Sequence, residues 1–225
     1  LEGIGISLAT HIAKCAGVSD RKLGDIESDI KSLNAKSFPV LDDARGEEMA
    51  QRILKAREEA DSVGGVTETV ICGTPAGVGE PWFDSVESVI SHAAFSLGGV
   101  KGVEFGAGFA AADMKGSECN DPLRVSGGRI VTTTNNNGGV NGGITNGMPI
   151  VFRCAVKPTP SIAQQQDTVD FIKNENTQLS IHGRHDPAII RRICPVLDSV
   201  AALCVADMLS LRYGTDVLTK GVDDR

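Results

Sequence analysis

The sequence of 225 residues is 41% hydrophobic and 23% charged, which is typical of a globular protein and excludes a disordered chain. Its net charge of −7 argues against broad electrostatic binding to nucleic acid or to anionic membranes. No apolar run approaches the length of a membrane span, and we interpret residues 1–225 as a single domain.

The six cysteines contain no C-x-x-C pair and no spacing typical of a zinc site. Most lie in apolar segments, where a free cysteine behaves as a small buried hydrophobe. We therefore expect reduced thiols, a cytosolic-type compartment and no metal.

The opening segment predicts an amphipathic helix. Ile4, Leu8, Ile12 and Cys15 are spaced at i, i+4, i+8 and i+11, which places them on one stripe of a helix. His11 would then be a structural residue of that helix. Because the chain begins without methionine and inside an element, we expect a fragment of a longer protein, from which a targeting segment could have been lost.

A second helix is predicted to begin at Asp42 or Asp43 as its N-cap and to end at the glycine pair 64–65. Residues 66–72 predict a strand. The glycines and prolines of residues 73–81 predict a long turn.

The third predicted helix begins with Asp84 and Glu87, which resemble a capping box, and ends at Gly98-Gly99. Its apolar stripe consists of Phe83, Val86, Ile90, Ala93 and Leu97. Three strands are predicted after it, at residues 100–105, 129–134 and 149–156, and the last of them alternates apolar and polar residues.

The last helix is predicted to begin with Asp186 as N-cap and Pro187 at the first helical position, and to run to about Arg212. Pro195 should kink or interrupt it. Helices alternating with short strands indicate a mixed architecture of packed layers.

The segment Asn135–Gly147 is unusual, because five of its thirteen residues are glycine and five are asparagine. Glycine adopts positive φ and lets a ligand contact the main chain, and asparagine tolerates the same backbone region. Lys157, Thr159 and Ser161 follow soon after. The pattern favours a site for a phosphate or a flat anionic cofactor, and a flexible Gly/Asn linker is the alternative.

Residues 106–111 (GAGFAA) follow a predicted strand and resemble a dinucleotide-binding fingerprint. No clean second βαβ unit follows them. The motif therefore leaves a nicotinamide-dependent oxidoreductase as one alternative function.

Several charged residues lie around the start of the last helix. Arg191 and Arg192 in its first turn, beside Arg184 and His185, would bind an oxyanion or simply point into solvent. Asp186 would cap the helix, act as a general base, or do both.

Seven segments occur in a fixed order along most of the chain. They are 61–65 (DSVGG), 75–81 (PAGVGEP), 100–109 (VKGVEFGAGF), 116–118 (GSE), the loop 136–147, 157–162 (KPTPSI) and 183–187 (GRHDP). Together they resemble the chorismate synthase family, from about the start of the chain to the end of the last helix. The combination is far more specific than any one of the motifs.

This resemblance implies a lyase of the shikimate pathway, in aromatic amino-acid biosynthesis. The implied reaction is anti-1,4-elimination of phosphate from 5-enolpyruvylshikimate 3-phosphate to give chorismate, with reduced FMN as cofactor. The implied fold is α+β, a layered β-α-β sandwich with antiparallel sheets packed on helices. The implied protein is a homotetramer. From the cysteines and the charge, we expect it to be cytoplasmic and to bind neither nucleic acid nor membrane.

The resemblance also implies site residues. The family's flavin contacts fall on Gly98, Gly99, Gly142, Lys157, Pro158, Thr159, Pro160, Ser161 and Arg184. Its acidic catalytic residue falls on Asp186, which would manage a proton at the flavin N5, and Arg192 is a candidate for binding substrate phosphate. The glycine pair replaces bulkier family residues, a change that a backbone contact would survive.

The family's N-terminal catalytic histidines, substrate-binding arginines and Arg-Ser flavin loop have no counterpart here. His11, His92, His182 and His185 do not match the histidine motifs. We expect this chain to be the larger C-terminal part of the enzyme, with part of the flavin site and little catalysis by itself. A non-catalytic phosphate- or nucleotide-binding module remains an alternative.

Two spatial expectations follow. Lys157, Arg184 and Arg192 should converge on one cavity, because a protein with a net charge of −7 needs a local positive patch to bind an anionic cofactor and substrate, and screening leaves only nearby charges effective. The loop 135–147 has few apolar side chains, so we expect a ligand or another subunit to order it and high mobility without flavin.

Overall fold

The structure is a computed structural model that describes residues 1–221. Within these residues the α-helices are α1 (Ile26–Asn34), α2 (Asp43–Glu58), α3 (Val86–Phe95), α4 (Gly116–Cys119), α5 (Ile190–Tyr213) and α6 (Val217–Lys220). Short 3-10 helices lie at Glu2–Ile4, Trp82–Asp84 and Gly108–Asp113.

The same residues form short and long strands. They are β1 (Ser7–Cys15), β2 (Val18–Ser19), β3 (Gly65–Cys72), β4 (Val100–Phe105), β5 (Leu123–Ser126), β6 (Arg129–Thr132), β7 (Val140–Asn141), β8 (Ile144–Thr145), β9 (Ile150–Val156), β10 (Gln166–Asp170) and β11 (Glu175–Leu179). The strands predicted near 66–72, 100–105 and 149–156 are confirmed as β3, β4 and β9.

Five strands form one antiparallel sheet in the order β2-β1-β3-β9-β4. β3 lies at its centre, between β1 and β9. In β9 the apolar residues at 150, 152, 154 and 156 are buried on one face, and Arg153 lies on the other. The alternation read from the sequence therefore places β9 correctly.

The opening segment is strand β1, so the predicted helix is wrong. A spacing of four residues fits both periods, because Leu8 and Ile12 also share one face of a strand, while Ile4 lies in the 3-10 helix before it. Between Ile12 and Lys14 the pairing with β3 shifts by a bulge, which returns Cys15 to the same buried side. His11 therefore lies in a strand.

Helices cover both faces of the sheet. α5 and α3 pack on one face and contribute a large share of the main core, together with the strands they cover. On the other face, Ile30 and Leu33 of α1 pack against Ala9 and Val70 of the sheet. An α+β fold with antiparallel strands packed on helices is confirmed.

Asp42 is the N-cap of α2, as predicted, and its carboxylate accepts hydrogen bonds from the N–H groups of Ala44 and Arg45. The helix ends at Glu58, before the glycine pair that was expected to stop it. Gly65 instead begins β3, where an added Cβ would overlap the carbonyl oxygen of Lys14. Close packing requires this glycine.

Helix α3 is confirmed, but its cap differs from the prediction. Ser85 accepts the hydrogen bond from the N–H of Ser88, whereas Asp84 lies in the preceding 3-10 turn. Phe83 is exposed for the same reason. The helix ends at Phe95, just before the predicted glycine pair.

Helix α5 begins at Ile190, later than predicted, and continues through Pro195 to Tyr213 without interruption. In residues 1–221 it is the one helix whose length and hydropathy would suffice to cross a membrane, which the sequence analysis did not recognise. Its buried side packs on β1 and β3. The core position of that side accounts for much of its apolar composition.

Three antiparallel hairpins complete the described chain: β5–β6, β7–β8 and β10–β11. β6 is shorter than the strand predicted over 129–134, and β10–β11 was not predicted. All six cysteines are unpaired in the described residues, and four are buried. Burial raises the pKa of the Cys15 thiol to about 11, so it remains protonated.

Candidate functional site

The implied flavin residues after α3 and after β9 lie side by side. The backbone N–H of Lys157 donates to the carbonyl of Gly99 at 2.9 Å. Gly99 has φ of +101°, and an added Cβ would lie 2.8 Å from Ile189 at the start of α5. The glycine thus lets the turn pass close to the helix.

The segment Lys157–Ser161 also contacts the loop that carries Arg184 and Asp186. The hydroxyl of Thr159 donates to the carbonyl of Asp186 at 2.9 Å, and the hydroxyl of Ser62 donates to the carbonyl of Thr159 at 2.6 Å. The sequence-distant segments therefore lie on one side of the molecule. Their convergence on a shared cavity stays a prediction.

Asp186 uses both carboxylate oxygens. Oδ1 accepts the N–H of Ala188 at 3.1 Å, and Oδ2 pairs with Nε of Arg192 at 3.0 Å. We expected Asp186 to be the N-cap of the last helix, and this prediction is wrong because α5 begins at Ile190. Asp186 instead stabilises the turn before the helix. The ion pair is open to water, since the Arg192 side chain is 79% exposed.

Arg191 and Arg192 lie in the first turn of α5, as predicted, and both are exposed. Pairing with Asp186 offsets for Arg192 the repulsion from the positive end of the helix dipole. Both arginines line a cavity of about 400 Å³, together with Lys36 and Asp198, and neither Lys157 nor Arg184 lines it.

Gly142 lies apart from these residues, at the tip of hairpin β7–β8. The neighbouring carbonyl of Gly143 accepts the N–H of Val86, the first residue of α3, at 3.0 Å. Gly98 and Gly99 follow the other end of that helix. Ten residues at 1.5 Å each separate the ends by about 15 Å, so a ligand touching both within one chain must extend along α3.

The Asn135–Gly147 segment is not a flexible linker. Gly138, Gly139 and Val140 are buried. The side chain of Asn135 holds them from both directions: its amide donates to the carbonyl of Pro149 at 2.8 Å, and its oxygen accepts the N–H of Gly139 at 2.8 Å. From its few apolar side chains we expected that the loop could not order itself. Hydrogen bonds within the chain hold it instead.

Sequence reasoning missed Asp121, which holds the same loop from outside. Its carboxylate accepts from the hydroxyl of Thr134, from the N–H groups of Asn136 and Asn137, and from the Asn137 amide. Burial raises the pKa of Asp121, but these hydrogen bonds lower it below its ordinary value overall. Asp121 lies in an Asn-Asp-Pro turn, and this local pattern does not indicate contacts with residues 134–137.

A second missed feature is a row of charged side chains across the sheet, on the α1 face. His11 bonds Asp20 at 3.0 Å and Glu68 at 3.2 Å, and Arg153 continues the row from Glu68 to Glu104. Burial lowers the pKa of His11, but hydrogen bonds to the two carboxylates raise it overall. The register of β1, β3, β9 and β4 brings these side chains together.

The dinucleotide-binding interpretation of residues 106–111 is wrong. They follow β4, an edge strand of an antiparallel sheet, whereas the fingerprint requires a parallel βαβ unit. Glycine is needed at position 106 because a Cβ there would overlap the carbonyl oxygen of Asn136. In residues 1–221 no group of three or more His, Cys, Asp or Glu side chains could hold a metal ion.

Comparison with known proteins agrees with the resemblance. A family model described as Chorismate synthase matches residues 1–210. The chorismate synthase of Methanosarcina acetivorans is 43% identical over 214 residues, which cover 95% of this chain and 58% of that protein. The chorismate synthase of Korarchaeum cryptofilum is 50% identical over 166 residues, covering 73% of this chain and 46% of that protein.

A crystal structure of a chorismate synthase matches with a TM-score of 0.77 at 27% identity, over 96% of this chain and 60% of the other. Fold and site together define an antiparallel α+β protein whose glycine turns leave main-chain groups open to a ligand. The chain belongs to the chorismate synthase family. It spans less than two thirds of the length of these relatives.

The residues present suit an anionic flavin. At Gly98 and Gly142 an added Cβ would meet nothing within 4 Å, so a ligand can reach the main chain there. Two exposed cations lie near these segments. Lys157 lies beside the turn at Gly99, and Arg184 lies two residues before Asp186. Cations and open N–H groups are the partners that a phosphate group requires.

Proposed function

We propose that the chain is the larger part of a chorismate synthase, which forms chorismate from 5-enolpyruvylshikimate 3-phosphate by anti-1,4-elimination of phosphate. The main structural support is the hydrogen-bonded contact between Lys157–Ser161 and the Asp186 loop. That contact joins two segments that the family resemblance assigns to one site, although they are distant in sequence.

Reduced FMN, when bound, supplies transient electron density that helps the phosphate to leave. Lys157 and Arg184 contribute positive charge near the anionic cofactor and substrate. The open main chain at Gly98 and Gly142 contributes contacts that need no side chain. The elimination also removes a proton, and in this proposal Asp186 accepts or relays it.

Asp186 is held for this role by its own neighbours. The N–H of Ala188 orients one oxygen, and Arg192 balances the charge at the other. We infer that Arg192 turns from this pair towards substrate phosphate, because a doubly charged phosphate is the stronger partner for a guanidinium group.

The parent protein in this proposal is a cytoplasmic homotetramer that binds neither nucleic acid nor membrane. The 225-residue chain by itself has little activity, because the catalytic histidines implied by the family have no match by motif among its residues. Chorismate formation by this chain alone, at a rate comparable to the parent, would refute that part of the proposal.

The test is a titration of the chain and of its parent with oxidised FMN, with and without the phosphorylated substrate. We expect a flavin spectral change that the substrate enhances in the parent, and weaker binding of riboflavin, which lacks the phosphate. Binding of inorganic phosphate without any flavin response in the parent would favour the non-catalytic phosphate-binding module instead.

A further inference from the structure

We propose that Asp121 is a positioning residue, whose carboxylate fixes the Asn135–Gly147 loop in the conformation that presents Gly142 to the cofactor. The effect on cofactor binding rests on the proposed function. The anchoring of the loop by Asp121 rests only on contacts within this chain.

The geometry around Asp121 is that of an anion surrounded by donors. Oδ1 accepts the hydroxyl of Thr134 at 2.7 Å and the N–H of Asn136 at 2.7 Å. Oδ2 accepts the N–H of Asn137 at 3.0 Å and the Nδ2 amide of Asn137 at 2.8 Å. Four donors from one turn converge on one carboxylate, and bonds to a charged acceptor are the stronger kind.

The loop needs such an anchor because of its backbone. Gly138 and Gly139 follow directly, with φ of +61° and +81°. Glycine loses more conformational freedom on ordering than any other residue, so fixing this pair is costly in entropy. Asp121 holds the residues before the pair, and Asn135 bridges the pair to Pro149.

The anchored turn leads straight to the ligand-facing part. Val140 begins hairpin β7–β8 immediately after Gly139, and Gly142 is at its tip. Asp121, Asn137 and Asn141 also line a cavity of about 700 Å³ beside the hairpin. The residue therefore borders both the turn that it orders and this cavity.

The substitution Asp121→Asn is a sharp test, because it keeps size and removes the charge. An asparagine has one oxygen to accept with, and its amide group would face donors on the other side. At least two of the four hydrogen bonds are lost. Asp113→Asn is the matched control, since Asp113 is exposed in a 3-10 helix of the same region.

The first readout is amide hydrogen exchange in the 225-residue chain without ligand. In Asp121→Asn we expect exchange at Asn136, Asn137 and Gly139 to be at least about tenfold faster, equal to the loss of one bond to a charged acceptor. Amides of β10 and β11, a separate exposed hairpin that opens independently of the loop, should exchange as before, and Asp113→Asn should change neither group. Unchanged protection of the loop in Asp121→Asn would overturn the inference.

Should Asp121→Asn fail to fold, Thr134→Val provides the same test, since it removes one donor and leaves the carboxylate. Faster exchange at Asn136 and Asn137 is expected there too. Unchanged protection in Thr134→Val would in that case count against the anchor.

The second readout uses the parent enzyme and separates positioning from general damage. Asp121→Asn should raise the apparent KM for reduced FMN at least about tenfold, with kcat at saturating FMN within about threefold and a melting temperature only a few degrees lower. Loss of loop protection with unchanged FMN affinity would overturn the positioning role. A parent that binds no FMN would instead refute the proposed function, and the exchange result would still stand.

Discussion

Asp186 has a structural role in the turn before α5 and, in the proposed function, a catalytic one. One carboxylate oxygen accepts a hydrogen bond in the turn before α5, and the other forms a solvent-exposed ion pair with Arg192. Exposed ion pairs contribute about 0–1 kcal/mol, so neither contact makes Asp186 essential for folding. A structural requirement is therefore a weak explanation for an acid at this position.

Replacing Asp186 with Asn in the parent enzyme should separate the two roles. The amide oxygen still accepts the N–H of Ala188, so we expect the free energy of unfolding to fall by about 1 kcal/mol or less. Turnover should fall by about two orders of magnitude or more, the range for loss of a general base. FMN affinity should change far less.

The measurement is steady-state chorismate formation with chemically reduced FMN, together with thermal melts. Asp186→Ala is the comparison, because it removes the turn contact as well and should melt lower with a similar loss of turnover. Near-normal turnover of Asp186→Asn would leave the residue with its structural role alone.

His11 makes stability depend on pH. Its folded pKa lies above the ordinary 6.5 because Asp20 and Glu68 favour the protonated ring. The stabilisation is therefore fully present below about pH 6.5 and is lost as pH rises through the higher folded pKa. Asp20, whose pKa is lowered, loses its own contribution only in acid.

We expect the free energy of unfolding to decrease between about pH 6 and about pH 8.5 in the unaltered chain, and to decrease less in His11→Gln. Urea titrations at the two pH values provide the measurement. His92→Gln is the control, because His92 is exposed on α3. Equal pH dependence in the unaltered chain and in His11→Gln would show that His11 does not cause the change in stability.

At the scale of elements, the sequence was informative where pattern and local chemistry agreed. β9 and the N-cap of α2 were found because alternation and a capping carboxylate act within a few residues. β1 was mistaken because its spacing fits two periods. β10 and β11 were missed because nearly all of their residues are exposed, so no apolar face marks them.

The site divides in the same way. Motif resemblance predicted its loops, and the structure shows which of those loops touch. Asp121 and the row from Asp20 to Glu104 depend on strand register and on contacts between distant turns. Such contacts leave no periodic signal in a single sequence.

The start of β3 tolerates no side chain at Gly65. An added Cβ there would overlap the carbonyl oxygen of Lys14 and the Ile190 side chain of α5. Gly65→Ala should therefore lower the free energy of unfolding by about 1–3 kcal/mol, the usual range for overpacking. Chemical denaturation can measure it against Gly116→Ala, where a Cβ would meet nothing within 4 Å. Equal stability of both variants would contradict the close packing.

At the scale of the whole molecule, large apolar side chains project from the hairpins. Phe171 and Ile172, in the connection between β10 and β11, are 86% and 85% exposed. Exposed apolar groups that cluster at one place are typical of protein contacts. We therefore expect this hairpin to lie in the subunit interface of the proposed tetramer.

Sedimentation velocity of the parent should show a tetramer at micromolar concentration, and Phe171→Ser with Ile172→Ser should shift it towards smaller species. Lys173→Ser, in the same turn, should leave assembly intact. A monomeric parent, or a double variant that sediments as the parent does, would place the interface elsewhere.

The position of β9 has a consequence for how the polypeptide is made. β9 separates β3 from β4 in the finished sheet, yet it leaves the ribosome after both of them. Until it arrives, β3 and β4 each present an unpaired edge, the kind of surface on which nascent chains aggregate. The sheet closes only when this late segment inserts between strands that are already synthesised.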